Sequence, residues 1–101
     1  MDLRRADLRE ANLREARLSG AELQGADFRE AILIGADLTT ADLDRASLSP
    51  AYLSKARLVG AKLTEADLRG ADLTEAILSG ADLRDADAVK KGGRKVHGLP
   101  T

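Results

Sequence analysis

The side chains able to do chemistry in this sequence are carboxylates with guanidinium groups beside them. Asp7, Asp27, Asp67 and Asp87 recur in one register, and Arg9, Arg29 and Arg69 each follow an Asp by two residues. Carboxylates held together serve as general acid and base, as ligands of a hard cation, or as imitators of phosphates. Each use needs a field of like charge, and an arginine beside three of the four acids cancels much of that field. Thiol chemistry is excluded because the chain has no Cys, which removes disulfides and zinc-thiolate sites together. The single His97 has no second His or Cys to complete a metal set. Lys90, Lys91, Arg94 and Lys95 offer phosphate or acidic partners four charges, but no aromatics are interleaved to stack on bases, so nucleic acid is an unfavoured partner. A catalytic centre also needs a cleft, and no irregular insertion is present to form one. The expectation is a non-enzyme without cofactors.

What must position these side chains is a repeat. Ala stands at every fifth position from Ala6 to Ala86, and Leu at every fifth from Leu3 to Leu83, replaced once by Phe28. On an α-helix each step of five turns the Leu by roughly 140° and scatters it around the axis. On an unbroken strand an odd period sends successive Leu to opposite faces. The chain must therefore turn once per repeat. A coiled coil would need a period of about 3.5 residues, and Gly20, Gly25, Gly35, Gly60, Gly70, Gly80 and Pro50 all fall in one slot, where they suit a corner and penalise a helix. With each unit numbered from its Ala, the first and third slots point inward and the second and fourth outward. Only Phe28 and Tyr52 are aromatic, so the interior is narrow and built of Ala and Leu.

Eight units read A-(D/N)-L-X-X: those opening at Ala6, Ala11, Ala26 (with Phe28 for Leu), Ala36, Ala41, Ala66, Ala71 and Ala81. Arg17, Glu22, Ile32, Ser47, Tyr52, Arg57, Lys62 and Ile77 depart from that pattern in the outward second slot, where change is expected to be tolerated. The chain thereby resembles the pentapeptide-repeat proteins. The resemblance implies an all-β fold, a right-handed quadrilateral β-helix of about four and a half coils with 20 residues per coil, over residues 1–88. Residues 89–101 form a basic, glycine-containing tail that is expected to be mobile, although Val96, Leu99 and Pro100 offer an apolar cover for the last coil.

Twenty residues per coil would stack Asp7, Asp27, Ser47, Asp67 and Asp87 in one column, with Arg9, Arg29, Ser49 and Arg69 in the next. That arrangement reads as a solvated ion-pair ladder. Some members of the family resemble DNA in shape and charge and bind DNA gyrase, but 12 basic residues among 17 acidic ones before the tail disfavour that use here. The large apolar outward residues are Ile32, Ile34 and Tyr52 on one face and Val59 and Ile77 on the next, a candidate partner-binding patch. No amino-terminal cap is visible, so self-association through uncovered ends is a second route to a partner. Met1-Asp2-Leu3-Arg4-Arg5 enters the repeat with no apolar run able to span a membrane, and a cytoplasmic location is expected. The sequence points to a structural or protein-interaction module whose partner it does not name.

Overall fold

The computed structural model describes residues 1–87. The expected boundary at residue 88 and the tail, with Lys90, Lys91, Arg94, Lys95 and His97, lie outside the described residues. Within 1–87 the backbone pairs with itself through parallel bridges between residues twenty apart, from Asp2 with Glu22 to Asp67 with Asp87. Twenty residues are four five-residue sides, so each level of the solenoid is a square. Every bridge falls on a second slot, and each side contributes one bridged residue rather than a strand. The sheet-like sides expected from the sequence are thus reduced to single rungs, because a corner every five residues leaves no room for a longer extended run.

Hydrogen bonds account for the backbone slot by slot. A third-slot N–H donates to the second-slot carbonyl one level on, as Leu23 does to Asp42 at 2.8 Å, and a second-slot N–H donates back to a first-slot carbonyl, as Asp42 does to Ala21 at 3.0 Å. Fifth-slot N–H groups donate to fourth-slot carbonyls of the next level, and first-slot N–H groups close the corner onto the preceding Leu carbonyl, as Ala26 does to Leu23 at 3.0 Å. The fourth-slot N–H is left outside this ladder, and a buried orphan there would be costly.

The second-slot acid supplies the missing acceptor. Asp2, Asp7, Asn12, Asp27, Asp37, Asp42, Asp67, Asp72 and Asp82 each accept the N–H two residues on through Oδ1, at 3.0 to 3.3 Å. These are Asx turns, in which a short side chain substitutes for a backbone acceptor. The Asp/Asn preference of the signature therefore has a local structural cause, one that treating the second slot as a tolerant surface position overlooks.

The corner forces the fifth slot into left-handed backbone. Six Gly take φ of 67 to 73°, and ten residues with side chains, Thr40 among them, take φ of 57 to 64°. Position i+2 of a type II turn requires this sign, which Gly alone adopts without steric cost. Pro50 is the exception: its preceding peptide is cis, it has no N–H to donate, and Glu30 N–H bonds to the Pro50 carbonyl instead of that of Ser49.

Inside, Ala and Leu from Leu18 to Leu73 are buried, with Phe28 wholly so, while Leu3, Leu8, Leu13, Leu78 and Leu83 at the end levels are partly covered. No polar or charged residue is buried among the described residues. Each fully buried Leu contributes roughly 1.5–3 kcal/mol of transfer free energy. The chemistry of the molecule is consequently all on its four faces.

Candidate functional site

Second slots name the faces: A holds 2, 22, 42, 62 and 82; B holds 7, 27, 47, 67 and 87; C holds 12, 32, 52 and 72; D holds 17, 37, 57 and 77. On face B the expected ladder forms. Arg9 and Arg29 grip Asp7 and Asp27 with two nitrogens each, at 2.6 to 2.9 Å for the shorter contacts, and Arg69 grips Asp67 likewise. Contacts between levels are looser, 3.9 Å from Arg9 to Asp27 and 3.5 Å from Arg69 to Asp87. Ser47 and Ser49 interrupt both columns at the middle level.

The same grip recurs on face A between Arg4 and Asp2 and between Arg84 and Asp82. Hydrogen bonds from the arginine side chain, and then from its backbone N–H, hold Asp2, Asp7 and Asp82 down at about 2, below the ordinary 3.8. Asp27 is lowered by Arg29 in the same way, and Asp37 by the Thr39 hydroxyl and N–H. These carboxylates are ionised and spoken for, which suits neither a proton donor near neutrality nor a phosphate imitation. Among the described residues no group of three or more His, Cys, Asp or Glu is placed to hold a metal ion.

Two shallow grooves stand out among the described residues, and neither is lined by the apolar candidates. One, of about 270 Å³, is lined by Arg9, Glu10, Arg29, Glu30, Ser49 and Pro50, where the interrupted ladder leaves a gap; the other lies among Asp2, Arg4, Arg5 and Gln24. The first wall alternates in sign and the second sets Asp2 against Arg4 and Arg5, so both mix acid with base. Gln24 donates to Asp42 at 3.0 Å while its buried Oε1 has no partner.

The apolar candidates separate into two groups. Ile32 and Tyr52 are bridged on adjacent levels of face C, and Ile34 stands two residues from Ile32 on the lower of those levels. Tyr52 is exposed, and Ile32 and Ile34 are half-buried. On face D, Ile77 is exposed and bridged to Arg57, whereas Val59 is half-buried in the fourth-slot column between Thr39 and Ser79, so these two meet only diagonally. The structure brings Ile32, Ile34 and Tyr52 into one strip and leaves Val59 and Ile77 apart from it.

One further residue of this strip went unnoticed in the sequence. Of the fourth-slot arginines at 4, 9, 14, 29, 69 and 84, five are gripped by the Asp two residues before them; Arg14, which follows Asn12, makes no ion pair among the described residues. The signal was there in Asn12 standing for Asp.

Comparison with known proteins gives a family match along the whole described length. The family model described as pentapeptide repeats matches residues 1–25, 11–49, 21–58 and 51–87. Among solved structures, the pentapeptide repeat protein Rfr23 from the cyanobacterium Cyanothece 51142 is 38% identical, covering 80% of this chain and 58% of that one, with a TM-score of 0.54. The chain thus spans somewhat under two thirds of Rfr23. The pentapeptide repeat protein alr5209 from Nostoc PCC 7120 is 35% identical over 93% of this chain and 77% of that one, also with a TM-score of 0.54. No curated protein matches the chain. These neighbours imply that the square solenoid is the right-handed quadrilateral β-helix expected from the sequence.

Proposed function

Because the chain belongs to the pentapeptide-repeat family, we propose that it is a non-catalytic interaction module, a rod of about four and a half coils that presents face C to a protein partner. The observation that carries the reading is the strip of Ile32, Ile34 and Tyr52, large apolar side chains set outward on adjacent levels of face C, in contrast to the paired charges of faces A and B. Burying such side chains stabilises a complex and costs the free rod little, because the rigid backbone is already ordered. Val59 and Ile77 extend the contact only for a partner that wraps the corner from face C to face D.

A non-catalytic role is supported by the state of the acids: the carboxylates of the ladder are held ionised by arginine, and the grooves beside them are shallow. The mixed signs on faces A and B argue against a gyrase-binding DNA imitation for the same reason.

The test is affinity capture with the intact chain and with Ile32→Ser/Ile34→Ser/Tyr52→Ser, the fold of each checked by thermal melting. Proteins held by the intact chain and released by the variant support the reading. The same proteins held equally by both overturn it.

A further inference from the structure

We propose that face D is the surface on which two copies of this chain pair, with their rods antiparallel; the contact is separate from face C, which it leaves open. From the lowest level upward the second slots of face D read Arg17, Asp37, Arg57 and Ile77. A half-turn about an axis lying between the two rods, at right angles to both and midway between the Asp37 and Arg57 levels, lays second slots on second slots and reverses the levels. Asp37 then meets the partner's Arg57, and Arg17 lays its methylenes over the partner's Ile77, a side chain that the single rod leaves exposed. Each pairing occurs twice, as a two-fold interface requires.

The groups that meet are those the rod leaves uncommitted. Arg17 and Arg57 are exposed and make no ion pair or side-chain hydrogen bond among the described residues. Asp37 takes both bonds from Thr39 on Oδ1, so Oδ2 is left to accept from the partner's guanidinium. Beside this column the fourth slots hold Ser19, Thr39, Val59 and Ser79, and three of the four fifth slots are Gly, so no long side chain keeps the backbones apart. Ser19, Thr39 and Thr40 donate their hydroxyls within the rod, which lowers the cost of covering them. The same half-turn sets Thr39 on the partner's Val59.

Charge selects both the face and the arrangement. Reversed in the same way about its middle, face A would set Asp2 on Asp82 and Asp42 on itself, face B would set Asp7 on Asp87 and Asp27 on Asp67, and face C would bring no opposite charges together. On face D a two-fold parallel to the rods would bring Arg17, Asp37 and Arg57 each onto its own copy or, placed between the columns, onto uncharged fourth slots. Moving the antiparallel axis half a level down sets Arg17 on the partner's Arg57 and Asp37 on itself.

Four levels at roughly 4.8 Å make a contact about 19 Å tall, and a face that small puts the dimer in the weak, reversible class. Sedimentation equilibrium of the purified chain up to about 1 mM is accordingly the assay, and the mass should rise toward two chains with concentration. Arg57→Glu and Asp37→Lys should each weaken association about tenfold or more, because each turns two opposite-charge contacts into two like-charge ones. An equimolar mixture of the two variants should dimerise again. In the mixed pair the introduced carboxylate of one rod faces the introduced ammonium of the other, and the native Asp37 of the first meets the native Arg57 of the second. Arg17, Arg57 and Lys62 already place bases in second slots of the folded rod, so Asp37→Lys is compatible with the fold, and melting of each variant checks this.

The Ile32→Ser/Ile34→Ser/Tyr52→Ser variant should dimerise as the intact chain does, which separates this contact from face C. A chain that stays monomeric at the highest concentration overturns the proposal, as does a dimer indifferent to either charge change, a mixture that fails to recover, or a dimer dissolved by the triple Ser variant. Capture of a different protein through face C is decided separately by the experiment above.

Discussion

Lys55→Gly should stabilise the rod. Lys55 occupies a corner at φ 61°, is exposed, and makes no ion pair or side-chain hydrogen bond among the described residues. Left-handed backbone costs an L-residue roughly 1–2 kcal/mol, which Gly recovers. Gly returns about 0.5–1 kcal/mol of that through the greater freedom of the unfolded chain. The net gain is about 0.5–1 kcal/mol, or roughly 2–6 °C in melting midpoint for a folded unit of this size. The reverse change, Gly60→Lys, should lower the midpoint by a similar amount: the new Cβ would lie 3.5 Å from Thr40 Cγ2, an ordinary contact, leaving only the cost of the φ of 67°. Calorimetric or circular-dichroism melts of the two variants at neutral pH decide the matter. A lower midpoint for Lys55→Gly, or a higher one for Gly60→Lys, would refute the view that corner conformation sets these contributions.

Three other outcomes follow from the interior and the ladder. Leu48→Ala, at a wholly buried position in the middle level, should cost about 3–5 kcal/mol, because stacked levels cannot collapse into the cavity, whereas Leu43→Met should cost less than about 1.5 kcal/mol; denaturant titration measures both. Asp2, Asp7 and Asp82 have folded values near 2 against 3.8 for the free group. Their contribution is therefore complete above about pH 4 and lost as pH falls through about 2, so the melting midpoint should decline across that window and decline less in the triple Asp→Asn variant. At neutral pH Asp27→Ala should lower the midpoint more than Asp27→Asn, since the amide keeps the bond to Arg29 N–H while Ala loses it along with the ion pair.

Most of the fold was legible because the period is an integer that suits neither helix nor strand. Ala and Leu two apart fixed what points inward, and Gly and Pro confined to one slot fixed the corner. The number of sides was not legible from these residues, since a turn per unit leaves the turning angle open, and it came first from resemblance and then from the twenty-residue register. Left-handed backbone at Thr40, Glu65 and eight other non-Gly corners was hidden, because side chains that avoid that region give no local sign that they occupy it; only the shared slot with Gly20 or Gly60 hints at it. The Asx turns were hidden differently: Asp27 and Asp37 look like surface acids until one asks where the N–H groups of Arg29 and Thr39 go. For the candidate site, the outward direction of Ile32, Ile34 and Tyr52 followed from the period alone. Their placement on a different face from Val59 and Ile77 followed from the twenty-residue coil that the resemblance implied; that Val59 and Ile77 meet only diagonally needed the register between levels, and the isolation of Arg14 was signalled by Asn12 standing for Asp.

The bridge register makes the surface an address system. Each residue's face is set by its distance from the start counted in fives, and its height by the same distance counted in twenties. Loss of a single unit, residues 36–40 for example, would leave every Ala and Leu facing inward, yet it would carry all later residues a quarter-turn round the rod. Tyr52 would leave Ile32 and take its place above Asp27. A change of four units would instead shift heights and keep every column aligned. Repeat number in such a chain is thus inherited as two separable quantities: its remainder after division by four rearranges neighbours across the whole downstream surface, and its quotient alters only length, with the interior indifferent to both.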